Sequence, residues 1–331
     1  MPRSVAVFGA AGFTGALTAR LLHRHPSFEL TALTARSDVG RRLDQLYPYH
    51  RVPLTLEELD LDRHSQVDAA VVAYPHGASA PLVRELRSRG VRVVDLSADF
   101  RLRDVEVYEE WYREHPAPSM LSDAVYGLPE RYRDAIREAD LVANPGCYPT
   151  AALLALAPLA RAGMISDVVI DAKSGVSGAG RAATEKTHFV SVDENVSAYG
   201  VPRHRHTPEI EQELAALGSR VWVTFTPHLL PLDQGELVSC YVTLRDGAQD
   251  GLHELYRRDY EDEPFVELSA APPGVRDVRE SNMCRISVHR DERTGRVIVF
   301  SAIDNLWKGA ASQAVQNLNL MFGLPEGEGI A

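Results

Sequence analysis

The segment NPGCYPT, at residues 144–150, places a cysteine after turn-forming residues and just ahead of a predicted helix. Pro149 suits the first turn of that helix, which the sequence predicts from Ala151 to Ala162. Unpaired N–H groups and the positive end of the helix dipole favour a thiolate, and they lower a thiol pKa that is otherwise about 8.5. Cys147 is therefore the predicted nucleophile. The alternative is a small, buried and unreactive cysteine.

Histidines lie in the segment HRHTPEI, at residues 204–210, where Thr207 and Pro208 are expected to start a helix. A cysteine nucleophile needs a proton shuttle, and histidine is the usual one near neutral pH. We predict His206 as the acid/base, with His204 as the second candidate. For either side chain, the alternative is packing at the helix end or contact with a phosphate.

Two further strand ends carry polar residues that suit a small anionic substrate. The glycine-rich segment KSGVSGAGR, at residues 173–181, offers backbone N–H groups with Ser174 and Ser177, or it forms a mobile lid. The segment DLSADFR, at residues 95–101, ends in Arg101, which is predicted to hold a phosphate or to form a surface ion pair.

The first predicted strand ends in GAAGFTG, with Gly9, Gly12 and Gly15 in a GxxGxxG spacing. In this position the three glycines allow a tight turn, close approach of a pyrophosphate, and contact between helix and strand. Because a strand precedes the motif and a helix follows it, we predict a dinucleotide site.

The end of the second predicted strand indicates which dinucleotide binds. An acidic residue there would hold a ribose 2′-hydroxyl, but this chain has Arg36 and Ser37, which suit a 2′-phosphate. NADP is therefore predicted over NAD. An inward-turned Asp38 would restore NAD binding.

A reactive cysteine beside a nicotinamide narrows the chemistry to thioester and thiohemiacetal steps, as in phosphorylating aldehyde dehydrogenation.

Alternating strand and helix patterns up to about residue 144 predict a doubly wound, parallel Rossmann-type sheet. Later strands, with few helices between them, predict a second α+β domain with a mostly antiparallel sheet. The last helical run, Ala310 to Phe322, is expected to pack on the first domain, and residues 326–331 are expected to form a frayed tail.

Composition limits the remaining possibilities. A chain of 331 residues favours two domains, and a net charge of -11 disfavours nucleic acid as a partner. The three cysteines lack any CxxC pairing, which predicts no metal site, no disulfide framework and a cytoplasmic location. Cys240 and Cys284 fall in strand-like runs and are predicted to be buried. The longest apolar run, Ala151 to Leu159, is too short to span a membrane.

These motifs, with DNLWKGA at residues 304–310, resemble the arginine-biosynthesis branch of the semialdehyde dehydrogenase family nearly end to end. The resemblance implies NADPH-dependent reduction of N-acetyl-glutamyl 5-phosphate to N-acetyl-glutamate 5-semialdehyde and phosphate through a Cys147 thioester. It also implies a homodimer or homotetramer. It implies an NADP-binding Rossmann domain at residues 1–145, completed by a C-terminal helix at 306–331, and a catalytic and oligomerisation domain at 146–305.

Matching motif positions extend the predicted sites. The cofactor set comprises Gly9, Gly12, Phe13, Thr14, Gly15, Arg36, Ser37, Pro75, His76, Asn305 and Lys308. The substrate set comprises Arg101, Ser174, Gly175, Ser177, Gly178, His204 and Glu209. Ala11 stands where many relatives have serine, which removes one possible hydroxyl contact without changing the glycines.

Three other functions share parts of this pattern. A reductase of aminoadipyl phosphate attached to an acidic carrier protein has the same chemistry, and RHRH at residues 203–206 is a short basic cluster. Aspartate-semialdehyde dehydrogenase fits less well, because its relatives do not usually carry the histidine segment. A noncatalytic NADP-binding regulator is the alternative outside enzymes.

Overall fold

The computed structural model describes residues 2–245 and 251–330. It divides into two compact units, Met1–Gly146 with Ala310–Ala331 and Cys147–Gly309. Among the described residues, every helix is too short or too polar to cross a lipid bilayer.

The first unit is a doubly wound α/β layer structure. Its elements are β1 (Arg3–Phe8), α1 (Phe13–His23), β2 (Phe28–Thr34), α2 (Leu43–Leu46), β3 (Leu56–Glu57), α3 (Leu61–His64), β4 (Ala69–Val72), α4 (Ser79–Ser88), β5 (Arg92–Asp95), α5 (Val105–Trp111), β6 (Ala124–Tyr126), α6 (Pro129–Glu138) and β7 (Leu141–Ala143). The strand order is β3-β2-β1-β4-β5-β7-β6, and all neighbours are parallel. Strands such as β4 are wholly apolar and buried, as expected for a sheet covered on both faces. The predicted Rossmann-type fold is confirmed.

The second unit is an α+β structure around a mixed sheet. Its elements are α7 (Cys147–Arg161), β8 (Ile165–Gly175), α8 (Phe189–Val192), β9 (Ser197–Ala198), α9 (Thr207–Ala216), β10 (Val223–Leu230), β11 (Glu236–Leu244), α10 (Leu252–Tyr260), β12 (Val266–Leu268), β13 (Cys284–Arg290) and β14 (Val297–Ile303). The strand order is β12-β13-β14-β11-β8-β10-β9, with antiparallel neighbours except at β12/β13 and β8/β10. The prediction of a mostly antiparallel sheet is confirmed.

Helix α7 is the central helix of the second unit. Its residues 148–160 are all buried, and the helix packs against β11, β14 and α9. A helix that is apolar on every side must be enclosed in this way. The predicted helix over 151–162 therefore begins four residues earlier, so that Cys147 is its first residue. Cys240 and Cys284 are buried in β11 and β13, as predicted.

The C-terminal segment returns to the first unit as α11 (Ser312–Met321). The predicted domain range 306–331 starts earlier than this, whereas the structure keeps residues 306–309 with the second unit. The expectation of a frayed tail after residue 326 is wrong for the residues described. Glu326 pairs with Arg133 at 2.8 Å, and the Glu328 carbonyl lies 2.8 Å from Nε2 of His25. Partners so distant in sequence could not be read from the tail itself.

Candidate active site

Cys147 opens α7 and is only partly buried, so its sulfur combines helix-start geometry with access to solvent. The backbone of Gly309 lies directly against it, since a Cβ added at Gly309 would be 2.8 Å from the Cβ of Cys147. No larger residue fits at position 309 without displacing the cysteine. The glycine of the DNLWKGA motif thus fixes the space beside the sulfur.

The two predicted histidines lie beside α7, because the segment before α9 packs on its first turn. Their ring centroids are 5.9 Å (His204) and 5.8 Å (His206) from that of Tyr148, and 4.9 Å from each other. The His206 backbone N–H donates to Nδ1 of His204 at 3.2 Å. Nδ1 of His204 is therefore the unprotonated nitrogen in this contact.

Electrostatics separates the two histidines. Burial, with a smaller contribution from the Arg205 charge, lowers the pKa of His204 to about 4. His204 is therefore neutral near pH 7 and a poor proton donor there, because its conjugate acid is scarcely populated. Of the two candidates left open by the sequence, this favours His206 as the acid/base.

Three further side chains of the second unit surround this site, and none was predicted from the sequence. The Tyr199 hydroxyl donates to the Tyr148 hydroxyl at 3.1 Å, and burial raises the pKa of both tyrosines. An ionised Cys147 or Glu236 would raise the pKa of both tyrosines further. The sequence held an indication for two of these three side chains. Tyr148 is adjacent to Cys147 in the chain, and Glu236 is the only acidic residue in the strand ELVSCYVTL.

The glycine-rich segment after β8 is held by side-chain hydrogen bonds. Ser177 Oγ donates to the Asp233 carbonyl at 2.5 Å, and Asn305 Nδ2 donates to Ser177 Oγ at 3.0 Å. Asn305 Oδ1 also accepts from the Gly235 N–H at 2.8 Å. A Cβ at Gly175 would meet the Asp233 carbonyl oxygen at 2.5 Å. These contacts oppose a freely mobile lid, and they give Asn305, predicted for the cofactor, a structural role in the second unit.

Ser174 and Gly178, the other predicted substrate residues of this segment, lie next to each other. A Cβ at Gly178 would stand 3.1 Å from Ser174 Oγ, which itself donates to the Gly175 carbonyl at 3.1 Å. Glu209, in the first turn of α9, is 1% exposed, and Lys308 is fully buried with Nζ 5.6 Å from the Phe265 ring centroid.

Arg101 lies in the first unit and is buried, so a surface ion pair is the wrong description of it. Its guanidinium donates to the carbonyl oxygens of Leu96 and Asn144, each at 2.8 Å. These bonds tie the DLSADFR segment to the residues that precede Cys147 in the chain. Phosphate binding by Arg101 stays a prediction.

The glycine turn of the first unit has the shape that a pyrophosphate requires. Gly9 has φ +91°, and a Cβ there would stand 2.5 Å from the Ala73 carbonyl oxygen. A Cβ at Gly15 would stand 2.4 Å from the Gly9 carbonyl oxygen, whereas one at Gly12 meets nothing closer than 3.8 Å. The N-cap Gly12 makes no side-chain hydrogen bond to the first turn of α1, which includes Phe13 and Thr14, so a bound anion could accept from the N–H groups of that turn.

The end of β2 forms an open cleft of about 270 Å³. Its lining residues are Ala35, Arg36, Val39, Glu58, Leu59 and Tyr74. The Arg36 guanidinium lies 4.8 Å from the Tyr74 ring centroid, and the adjacent Ser37 is exposed. Asp38 instead bonds to Nη1 of Arg41 at 2.8 Å. The cleft is thus lined by the Arg36 cation and by Glu58, and Ser37 is exposed next to Arg36.

The two other predicted cofactor residues follow β4. Pro75 is exposed, and Nδ1 of His76 accepts from the Ala98 N–H at 3.0 Å. That bond holds the imidazole in place at the strand end.

Both units match known family models. Residues 4–139 match the NAD binding domain of semialdehyde dehydrogenase, and residues 147–305 match its dimerisation domain. The chain belongs to the semialdehyde dehydrogenase family, and its first unit is the nicotinamide-binding domain.

Relatives at high identity carry one name. N-acetyl-gamma-glutamyl-phosphate reductase of Desulforudis audaxviator is 53% identical, covering 98% of this chain and 97% of that protein. The reductase of the same name from Rubrobacter xylanophilus is 50% identical, covering 100% and 99%.

Solved structures share the fold at much lower identity. Aspartate semialdehyde dehydrogenase II from Vibrio cholerae has a TM-score of 0.74 and 22% identity, covering 98% of this chain and 99% of that one. Aspartate semialdehyde dehydrogenase with NADP from Candida albicans has a TM-score of 0.71 and 15% identity, covering 97% and 99%.

Proposed function

We propose that the chain is an N-acetyl-gamma-glutamyl-phosphate reductase that acts in arginine biosynthesis. It reduces N-acetyl-glutamyl 5-phosphate to N-acetyl-glutamate 5-semialdehyde and phosphate. The observation that carries this proposal is Cys147 at the first position of α7, with His206 packed on the adjacent Tyr148, in a chain about half identical to reductases of that name over nearly its full length. The likeness to aspartate semialdehyde dehydrogenases is one of fold alone.

The reaction begins at sulfur. The Cys147 thiolate attacks the acyl carbon, the C–S bond forms, and the phosphate leaves with the electron pair of its C–O bond. Backbone N–H groups at the start of α7 and the imidazolium of His206 stabilise the tetrahedral oxyanion. A nicotinamide held by the first unit would supply the hydride that reduces the thioester. Collapse of the reduced adduct returns the electron pair to sulfur and releases the aldehyde.

We further propose that NADPH is the physiological reductant. Arg36 and Ser37 supply the cation and hydroxyl for a 2′-phosphate at the end of β2. Asp38, the residue that would favour NAD, is engaged by Arg41. The Candida albicans structural neighbour is described with NADP.

Exposed apolar side chains support a homodimer or homotetramer. Phe189, Val190 and Val196 are 75%, 81% and 61% exposed, and all three lie within the part matched by the dimerisation-domain model. Large exposed apolar patches mark association sites, and these three side chains lie within eight positions of one another in the chain. We also expect a cytoplasmic location, in keeping with three cysteines that form no disulfide.

The direct test is the reverse reaction. Purified protein is mixed with N-acetyl-glutamate 5-semialdehyde, phosphate and NADP, and reduced cofactor is followed by absorbance. Aspartate semialdehyde and the carrier-linked aminoadipate analogue serve as competing substrates. We expect turnover with the acetylated substrate that depends on phosphate. Preference for another aldehyde would reassign the substrate, and no turnover with any of them would favour the regulator.

A further inference from the structure

The glycine turn ahead of α1 is held from two sides by other parts of the first unit. Gly9 and Ala10 both donate their N–H groups to the Thr34 carbonyl oxygen at the end of β2, each at 2.9 Å. On the other side, the Tyr47 hydroxyl donates to the Ala11 carbonyl oxygen at 2.9 Å. That bond joins residues 36 positions apart, and the Tyr47 side chain is buried. A buried bond of this kind meets little competition from water.

Local sequence explains how Tyr47 comes to stand beside the turn. Pro48 disfavours the helical region for the residue before it, so α2 ends and Tyr47 adopts φ -131° and ψ 81°. The chain then folds back on α2, where the Asp44 N–H donates to the Val52 carbonyl oxygen at 3.0 Å. Leu43 and Val52 are fully buried. The tyrosine is therefore carried by a closed, packed segment.

Tyr47 contacts the turn at a second point. Its ring meets that of Phe13, the first residue of α1, edge-on with the centroids 6.2 Å apart. The hydroxyl holds the Ala11 carbonyl just ahead of the N-cap Gly12, so Tyr47 contacts both neighbours of the N-cap. Within the turn, the Gly12 N–H donates to the Gly9 carbonyl oxygen at a long 3.3 Å. The turn thus depends on outside contacts for its shape.

We propose that Tyr47 is a positioning residue for the cofactor, because its hydroxyl holds the turn in the form in which the N–H groups of α1 can receive a pyrophosphate. The proposal rests on the nicotinamide-binding role of the first unit and is independent of the substrate proposed above. A peptide unit is planar, so fixing the Ala11 carbonyl oxygen also fixes the Gly12 N–H. Gly12 has no side chain to limit its own rotation.

Loss of the hydroxyl should therefore act on affinity through the shape of the unliganded turn. Without the bond to Ala11, the turn populates other orientations, and only a fraction of the molecules keeps the form that binds. The apparent dissociation constant rises by the inverse of that fraction. A hydroxyl that only satisfied a buried carbonyl would instead change stability and leave affinity as it was.

Tyr256 provides a matched control for these two roles. It is fully buried in the second unit, and its hydroxyl donates to the Ala155 carbonyl oxygen at 2.6 Å. A change from tyrosine to phenylalanine removes the same atom and the same type of bond at both positions. The two variants differ in whether that bond holds the glycine turn.

The experiment measures binding without turnover. Isothermal titration calorimetry gives Kd for NADPH and for NADH with the full-length wild-type protein, Tyr47→Phe and Tyr256→Phe, and thermal melts give the Tm of each. We expect Tyr47→Phe to raise both Kd values by a similar factor of about 10, because both cofactors carry the pyrophosphate. Tyr256→Phe should lower Tm and leave both Kd values at wild type. At saturating cofactor, kcat of Tyr47→Phe should stay within about 2-fold of wild type.

Two results would overturn the proposal. One is a Tyr47→Phe protein with a lower Tm and unchanged Kd values, which would leave the hydroxyl as a stabilising contact only. The other is a rise in Kd confined to NADPH, which would place Tyr47 with the 2′-phosphate instead of the pyrophosphate. If Tyr47→Phe weakens both cofactors but the wild-type protein fails the reductase assay, the proposed function fails and the role of Tyr47 stands.

Hydrogen–deuterium exchange on wild-type protein tests the proposal without a variant, should Tyr47→Phe fail to fold. The hydroxyl ties residues 43–50 to the turn at residues 9–12. NADPH should therefore slow amide exchange in both segments. Slower exchange at the turn alone would contradict the link through Tyr47.

Discussion

The N-termini of helices α1 and α7 are surrounded by different kinds of chemical group. At α1 the site consists of backbone, with glycines that let the chain turn at Gly9 and leave Gly12 open. At α7 the backbone is joined by ionisable side chains from elsewhere in the second unit, including His206 and Glu236. The first arrangement can bind an anion but has no group to exchange protons. In the proposed function, the second adds a nucleophile and a proton carrier, so the same dipole serves chemistry instead of binding.

The largest effect is expected from Cys147→Ser. A hydroxyl is far less acidic than a thiol, so the start of α7 loses its nucleophile and kcat should fall by at least about 10³-fold. The matched control is Cys284→Ser, which keeps a hydrogen-bonding group 3.3 Å from Ser301 Oγ and should stay near wild type. Steady-state kinetics of both variants checks this. A Cys147→Ser protein with most of its activity would remove the distinction between the two helix starts.

Substitution of His206 should lower kcat more than substitution of His204. His206→Gln is expected to lower kcat by about 10²-fold to 10³-fold, as loss of a general acid does. His204→Gln should cost less than about 10-fold, because a neutral imidazole with a pKa of about 4 donates no proton near pH 7. Full pH profiles of kcat for both variants measure this. The reverse order of effects would move the acid/base to His204.

Cofactor choice tests the cleft at the end of β2. Arg36→Gln is expected to raise KM for NADPH by about 10-fold to 100-fold, with little change for NADH, because a charge-assisted bond to the 2′-phosphate is lost. Arg63→Gln, which removes an exposed ion pair with Glu57, is the control. Equal changes in KM for both cofactors would show that Arg36 does not read the 2′-phosphate.

Two glycines of the α1 turn should fail in different ways. Gly15→Ala puts a Cβ 2.4 Å from the Gly9 carbonyl oxygen and should lower Tm, whereas Gly12→Ala has its nearest contact at 3.8 Å and should leave Tm nearly unchanged. Gly12→Ala is instead expected to raise KM for the cofactor about 10-fold, since the added methyl group faces the anion. Thermal melts measure the change in stability, and cofactor titrations measure the change in KM. A lower Tm for Gly12→Ala with an unchanged Tm for Gly15→Ala would contradict this assignment of the two glycines.

Buried histidines in both units should make stability depend on pH. Burial lowers the pKa of His50 in the first unit and of His204 in the second, each to about 4. Both lie below the unfolded value of about 6.5, so the unfolded chain binds protons first as pH falls. The free energy of unfolding should therefore fall between pH 6.5 and 4, by about 1.4 kcal/mol per pH unit for each histidine. Urea unfolding of His50→Gln should show a shallower slope, and an unchanged slope would contradict the burial argument.

Features that depend on a single segment of the chain could be predicted from the local sequence. The GAAGFTG turn, the helix start at Cys147 and both sheet types followed from spacing and periodicity, because backbone geometry and burial act over short distances. The surroundings of Cys147 did not follow. Tyr199 and Glu236 are separated from it by 52 and 89 positions, and the second sheet places them, since β9 pairs with β10 and β11 pairs with β8 and β14. Sequence spacing carries no information about such contacts.

The most direct test of the account is the covalent intermediate. The protein is mixed with N-acetyl-glutamyl 5-phosphate without reduced cofactor, quenched in acid, digested and examined by mass spectrometry. We predict that the peptide containing Cys147 gains the mass of one N-acetyl-glutamyl group, and that NADPH added before the quench removes it. An unmodified Cys147 with active enzyme, or an acyl group on another residue, would contradict the proposal that this sulfur is the nucleophile.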